Sequence, residues 1–388
     1  MPPHHNVPVS SNVRLHMKPN RAFGVGCFHF GYRKTVPYRF SASDYVSDVK
    51  MALSSLSSLS ELDVTFFEEL CEPFDVSDAT PNLLEDGDYF PGVMGLTITF
   101  TLFIPFRVQS DLFPNESVEM QTTTETFRVS VRDSFHGPSS FVECIGATDQ
   151  CSPSDSVRLL RVYLEREFEK LATPVSFEYL GPSPFHANFF LRPGEATLDQ
   201  SFVLEETKRR GYNDLVFKYT ESQSPEKALD DILDELSDEL SLFYEIQRRS
   251  VRLMRAGDNL TADWQALQSI ATPSLGLFNV RSRIRVHREA QALVSDAYTL
   301  QAQYAVEEQQ VQRDIASTYE KGVATYLEKY ICDRSEKLPM YPVESIVKWG
   351  EHVVGTSLKS AEIAAVVLSA IGGGIIGSLL TSLMSRGA

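Results

Sequence analysis

A chain of 388 residues that sets 36 Lys and Arg against 52 Asp and Glu carries a formal net charge of -16. That balance argues against nucleic acid as the main partner, because phosphate binding needs clustered cations. Its five cysteines (Cys27, Cys71, Cys144, Cys151 and Cys332) are odd in number and irregularly spaced, with neither a disulfide framework nor a paired CxxC zinc pattern, which fits a reduced, cytosolic compartment.

Residues 1–20 read as a flexible leader. The first thirty residues hold no apolar core of signal-peptide length, so the bulk is expected to stay on the side of synthesis. From there to residue 222 strand and helix signals alternate. Gly24 to Phe30 is a short strand. Tyr45, Val49, Ala52, Leu53, Leu56 and Leu59 follow helical spacing after a Ser41/Ser43 start, and Asp63 to Phe67 is again a strand. Leu96, Ile98, Phe100 and Leu102 alternate with threonines, and Phe127, Val129 and Val131 alternate with polar residues, as half-buried strands do. Ser154 is placed to cap a helix with Val157, Leu160, Leu164, Phe168 and Leu171 on one side. Strands are expected at Val175 to Tyr179, Asn188 to Leu191 and Leu215 to Tyr219. The order predicts an α+β domain over 21–222, with a mainly antiparallel sheet and helices on one face. The polar stretches 71–93 and 105–125 read as long connections.

Character changes at Ser224-Pro225-Glu226, a helix start. Leu229, Ile232, Leu233, Leu236, Leu240 and Phe243 continue a helical stripe, while Asp230, Asp231, Asp234, Glu235, Asp238 and Glu239 read as its solvated side. Beyond Pro273, Val286, Ala290, Leu293, Ala297, Leu300, Tyr304, Val311 and Ile315 keep a coiled-coil-like spacing. Residues 223–334 are thus predicted to form a helical hairpin or coiled-coil-like stalk. In an antiparallel hairpin the basic group Arg248, Arg249, Arg252 and Arg255 would face the basic start Arg281, Arg283, Arg285 and Arg288, an unfavourable meeting that points towards a multimer. Residues 335–360 read as a juxtamembrane linker and short helix.

Residues 361–388 end the chain with a predicted transmembrane helix and a short tail. Ile363 to Ser385 has no charged side chain, and as a helix it reaches roughly 34 Å, enough to cross a bilayer core. Ala365, Ser369, Gly373, Gly377 and Thr381 recur at every fourth position, opposite a bulky row of Ile, Val and Leu. Small rows let a second helix come close to the backbone, so these five are candidate packing residues. Trp349, Lys359 and Arg386 are candidate membrane-interface residues, and the excess of Lys348, His352 and Lys359 over Arg386 places the N-terminal bulk in the cytoplasm.

No catalytic constellation, metal-ligand set or cofactor motif is legible. Gly24-Val25-Gly26 lacks the third glycine of a dinucleotide turn. His136 with Cys144 and Cys151 is spaced too widely for a zinc site and reads as a loop histidine and two ordinary thiols. His29 lies in an aromatic strand and reads as a satisfied histidine. Glu85, Asp86 and Asp88 lack the spacing of an EF-hand and read as a solvated cluster. The layout of cytosolic domain, long helices and terminal membrane segment resembles CorA-type magnesium channels in architecture only. Those channels have two spans and a Gly-Met-Asn motif, both missing here, so neither transport nor any residue role follows from the resemblance. The expected function is a tail-anchored, homo-oligomeric effector that perturbs or gates the lipid bilayer, possessed of a cytosolic domain that receives a protein or small-molecule signal, as in prokaryotic antiviral defence. The alternatives are a tail-anchored adaptor that localises a binding domain, and a membrane-anchored enzyme.

Overall fold

The computed structural model describes residues 21–33, 41–66, 95–114, 122–148, 151–194, 201–209, 211–271, 280–320, 325–335 and 341–356. The chain divides into two compact units, one of residues 1–245 with 322–330 and one of 246–321 with 331–388. The leader 1–20, the acidic cluster Glu85, Asp86 and Asp88, Cys71, the Pro273 break, and the whole segment 357–388 lie outside the described residues.

The first unit is α+β. Strands β1 (Arg21–Tyr32), β2 (Leu59–Thr65), β3 (Thr97–Phe103), β4 (Thr126–Ser134), β5 (Gly137–Ile145), β6 (Val175–Gly181), β7 (Ala187–Gly194), β8 (Phe202–Thr207) and β9 (Asn213–Thr220) form one sheet in the order β2-β3-β4-β5-β1-β7-β9-β8, with β6 also on β1. The sheet is mixed: β7 and β9 run parallel, Ala187 opposite Asn213 to Gly194 opposite Thr220, while the other pairings are antiparallel. Strand β1 is the organiser. Its first half pairs with β5 and β7, and its second half pairs with β6 after a register shift at Cys27/Phe28.

Helices α1 (Ala42–Ser54) and α3 (Pro153–Lys170) lie on one face. Ser41 opens α1 with a capping box, its hydroxyl accepting from Asp44 N while the Asp44 carboxylate accepts from Ser41 N. Pro153 opens α3 behind Ser152, so Ser154 lies inside the first turn rather than at the cap. Its hydroxyl is instead hydrogen-bonded to Ala187 O and Asn188 Oδ1, which ties α3 to β7. Beneath these helices Phe28, Phe30, Tyr32, Tyr45, Phe100 and Phe127 are almost fully buried and form the larger core.

The opposite face is covered too, by the first turns of α4 (Pro225–Ala271). Helices therefore flank the sheet on both faces, not on one. Strand β1 is buried at eleven consecutive positions, and β5 at seven, which is the burial of strands sandwiched between layers. Glycines permit the close approach of α3. A Cβ on Gly24 would collide with the carbonyl of Pro153 and the side chain of Val157, and one on Gly26 would come within 2.8 Å of Val157 Cγ1. The Gly24 and Gly26 pair, which lacks the third glycine of a dinucleotide turn, is a packing device. Between β3 and β4, the stretch 105–125 includes helix α2 (Phe106–Leu112), whose Gln109 amide donates to Ile104 O and Thr124 O.

In the second unit the C-terminal part of α4 packs antiparallel to α5 (Val280–Tyr319). Leu253, Leu260 and Leu267 of α4 share a core with Val286, Ala290, Leu293, Ala297 and Leu300 of α5. A further helix, 343–356 (α7, following α6, Glu328–Ser335), adds Ile346 and Val347 to that core. Two glycines again admit neighbours. Gly257 lies against the Tyr341 ring, and Gly350 leaves room for Val294.

Candidate functional site

A polar, largely buried region of the first unit lies between the sheet and α4. Strand β1 contributes Phe23, β3 Thr99, β4 Arg128, Ser130 and Arg132, β5 Phe141 and Glu143, and α4 Leu229, Asp230 and Leu233; together they line a cavity of about 40 Å³. Register brings the charges together, because Arg128 is the direct cross-strand neighbour of Glu143. Arg21 pairs with both Glu143 and Glu226, and Arg132 pairs with Asp234. Burial pulls the Arg21 guanidinium down, but the hydrogen bond and charge of Glu143, followed by Glu226, outweigh it and leave the group above its ordinary value. For Arg132 burial prevails over the attraction of Asp230 and holds the group below its ordinary value. The cavity has room for a few waters, each needing about 10–15 Å³. Organic substrates occupy clefts of several hundred Å³. What this region does chemically is hold opposite charges at a sheet–helix seam with space for solvent.

The acidic side of α4 is therefore not simply a solvated face. Glu226 and Asp234 pair with sheet arginines, and Asp230 lines the cavity. Glu239 is 3% exposed and accepts from the backbone amides of Tyr326 and Leu327 at 3.0 and 2.9 Å. Glu235 accepts from the Tyr326 hydroxyl at 2.7 Å, and burial followed by this bond pushes that phenol well up. The rings of Phe217 and Phe202 stand edge-on to Tyr326, with Phe189 stacked on Phe217.

The basic group on α4 also meets a different partner from the one its sequence position suggested. Arg249 reaches Glu307 at 3.3 Å and Asp314 at 3.2 Å, and Arg252 reaches Glu307 at 3.6 Å. The reason is helix length. Because α4 continues to Ala271, the arginines sit about four to six turns before its end, and antiparallel register sets them against the acidic second half of α5. The feared repulsion, and the argument for a multimer drawn from it, both fall away.

Among the sequence-nominated residues, Trp349 lies on the helix 343–356, where its ring stands edge-on to Trp264 at 6.4 Å between centroids and packs against the three-helix core. Ala365, Ser369, Gly373, Gly377, Thr381, Lys359 and Arg386 lie outside the described residues. Within the described residues, no helix is long and apolar enough to cross a membrane. His29 is 2% exposed in β1, directly opposite Glu178 of β6. His136 stands edge-on to Phe135 in the β4–β5 turn, and among the described residues no three His, Cys, Asp or Glu side chains converge as a metal ion requires.

Sequence reasoning did not place Cys144, near the end of β5, and Cys151, just before α3, in one buried core. Ser156 Oγ lies 3.1 Å from Cys144 Sγ. Their shared burial was hidden because β5 itself went unrecognised. Compared with protein-family models, with curated proteins and with solved structures, the chain finds no match.

Proposed function

We propose that the chain is a single-pass membrane protein, tail-anchored through residues 363–385 with its N-terminal bulk in the cytoplasm. Its copies assemble through that segment and the helical unit before it, and the assembled spans perturb or gate the bilayer, as an effector of prokaryotic antiviral defence does. The observation that carries this reading is the uncharged 363–385 segment with its small row Ala365, Ser369, Gly373, Gly377 and Thr381. The surface of α5 supports it. Ile284, Tyr298 and Val306 are 55%, 50% and 62% exposed, and at about 100° per residue they fall within an arc of roughly 80° on one side of the helix. Large apolar side chains left on one side of a long helix suit contact with a second copy. The apolar side of the helix 343–356 is engaged by Trp264 and its neighbours, so Lys359 and Arg386 are the remaining interface residues of this reading, with Trp349 at its near edge.

The full chain, expressed in bacterial cells, is expected to depolarise or kill them, whereas a truncation before Ser360 does not. Gly373→Leu and Gly377→Leu are expected to abolish toxicity while the protein still fractionates with membranes. Undiminished toxicity in both Leu variants would remove the packing row from the mechanism. Equal function after exchange of 363–385 for an unrelated anchor would favour a localising adaptor instead.

A further inference from the structure

We propose that the cavity between the sheet and the start of α4 is a binding site for a small zwitterion, a free α-amino acid of the size of glycine. The site lies within the first unit and requires nothing from the membrane segment, so it stands apart from the reading above. Register lays down its floor. Arg128, Glu143 and Phe23 are successive cross-strand neighbours on β4, β5 and β1, so their side chains share the face of the sheet that is turned to α4. Leu229, Asp230 and Leu233 of α4 form the roof. Glu143 is 4% exposed, whereas Arg128 is an exposed residue, so a carboxylate stands at the inner end and a guanidinium at the mouth. Glu143 has one oxygen engaged and one spare. Its Oε1 pairs with Arg21, while Oε2 is buried and has no hydrogen-bond partner. Arg128 does not supply one, although it is the direct neighbour across the ladder, and it makes no ion pair among the described residues.

The charges of the lining select the ligand. Arg128 and Arg132 are matched in number by Glu143 and Asp230, and Arg132 is already paired with Asp234. An inorganic anion satisfies Arg128 but meets the Glu143 carboxylate at the inner end. A metal ion or a simple amine satisfies Glu143 but meets the arginines. An apolar molecule takes water from both charges and returns nothing. A zwitterion matches both ends. Its ammonium group donates to Glu143 Oε2, with the Ser130 and Thr99 hydroxyls as further acceptors, and its carboxylate accepts from the Arg128 guanidinium. Size sets the rest. The cavity of about 40 Å³ holds a few waters, so the ligand that takes their place is one whose two charges are a single carbon apart. Phe23, Phe141, Leu229 and Leu233 give that carbon an apolar wall and leave no space for a large side chain. Because the roof belongs to α4, an occupied site ties the first turns of that helix to the sheet.

The detergent-purified full chain is titrated calorimetrically with glycine, and separately with methylammonium chloride, sodium acetate and phenylalanine. Glycine is expected to bind saturably, one per chain, and about tenfold or more tighter than methylammonium or acetate, each of which carries only one of its charges. Phenylalanine is expected not to bind. Arg128 is exposed, so Arg128→Gln alters the mouth and leaves the buried floor in place. This variant is expected to bind glycine about tenfold or more weakly. Amide exchange in the first turns of α4 is expected to slow when glycine is added to the parent, and to stay unchanged in Arg128→Gln at the same concentration. The proposal fails if glycine does not bind in the millimolar range, or if acetate or methylammonium binds as tightly as glycine. It fails equally if phenylalanine competes with glycine, or if Arg128→Gln binds glycine as the parent does.

Discussion

Replacing Gly24 by alanine tests the view that α3 is seated directly on β1. The added Cβ meets the backbone carbonyl oxygen of Pro153 and Cγ2 of Val157, the latter at 2.5 Å. A carbonyl at the first turn of a helix has no rotamer to change, and Val157 is 1% exposed, so α3 or β1 must move. Overpacking of this kind costs about 1–3 kcal/mol, and Gly24 belongs at the upper end because backbone is struck. Stiffening of the unfolded chain returns about 0.5 kcal/mol. The net loss is about 2.5 kcal/mol. Gly26→Ala is the internal control. Its Cβ meets the Val157 side chain at 2.8 Å and then only Tyr179 at 3.6 Å, so a rotamer shift of Val157 suffices and the net loss is about 0.5 kcal/mol. Neither glycine has a left-handed φ, so only space distinguishes them. Both tryptophans, Trp264 and Trp349, are in the second unit, so their fluorescence is the wrong probe. Amide hydrogen exchange on peptides from β1 and α3 reads the right unit. Exchange through opening of this unit is expected to quicken roughly 70-fold in Gly24→Ala and about twofold in Gly26→Ala. Equal effects, or the reverse order, would refute the seating of α3 on these glycines.

Two other sites give outcomes of known sign. Glu239→Ala removes a buried carboxylate that accepts from the amides of Tyr326 and Leu327, and bonds to a charged group are each worth about 1.5–3 kcal/mol, so a loss of about 3 kcal/mol is expected. Glu239→Gln, keeping one acceptor, is expected to lose about half as much, and urea titration followed by exchange at Tyr326 and Leu327 separates the two; indistinguishable stability of parent and Ala variant would discard the capping role. Burial pushes the Asp214 carboxyl above the usual carboxylate range despite the charge of Arg209. Between the ordinary and the raised value the native state keeps a proton that the unfolded chain has lost, so this group makes stability fall as pH rises through that window. Asp214→Asn is expected to remove that slope from the acid limb of a pH–stability profile, and an unchanged limb would count against the assignment.

What the sequence revealed and what it hid follow from the physics of each element. Strands β3 and β4 announce themselves by alternation, and both stripes of α4 and α5 are legible because each buries one side. Strand β5 does not, since Pro138 to Cys144 is buried on both faces and no period of two survives. Strand β8 has half its residues exposed at one end and escaped for the opposite reason. The partners of charges were the least legible feature. Nothing in Glu226, Asp230 and Asp234 says that they will meet Arg21 and Arg132, which come from strands far away in sequence. Likewise the pairing of Arg249 with Asp314 depends on where α4 ends, and helix ends are set by a handful of residues near the bend. Cys144 and Cys151 were visible, but their place in one core depended on a strand that could not be recognised.

The glycines carry one argument across the chain. A glycine inside a helix costs about 1 kcal/mol against alanine, and in a strand it gives up packing area, so an interior glycine needs a reason. At four described positions the reason is a neighbour at contact. Gly24 and Gly26 admit Val157, Gly257 admits the Tyr341 ring, whose hydroxyl donates to Met254 O at 2.7 Å, and Gly350 admits Val294. Such glycines are half of a pair, and the other half at these four is Val157, the Tyr341 ring or Val294. As the helix proposed above, the segment 363–385 would carry both halves, Gly373 and Gly377 on the small row and Ile371, Ile375 and Leu379 on the bulky one. A helix that carries both halves of a packing pair on different sides is complementary to a second copy of itself. That is why the proposed assembly is of like chains, and why leucine at Gly373 or Gly377, which fills the small side and leaves insertion unaltered, is the substitution that separates packing from anchoring.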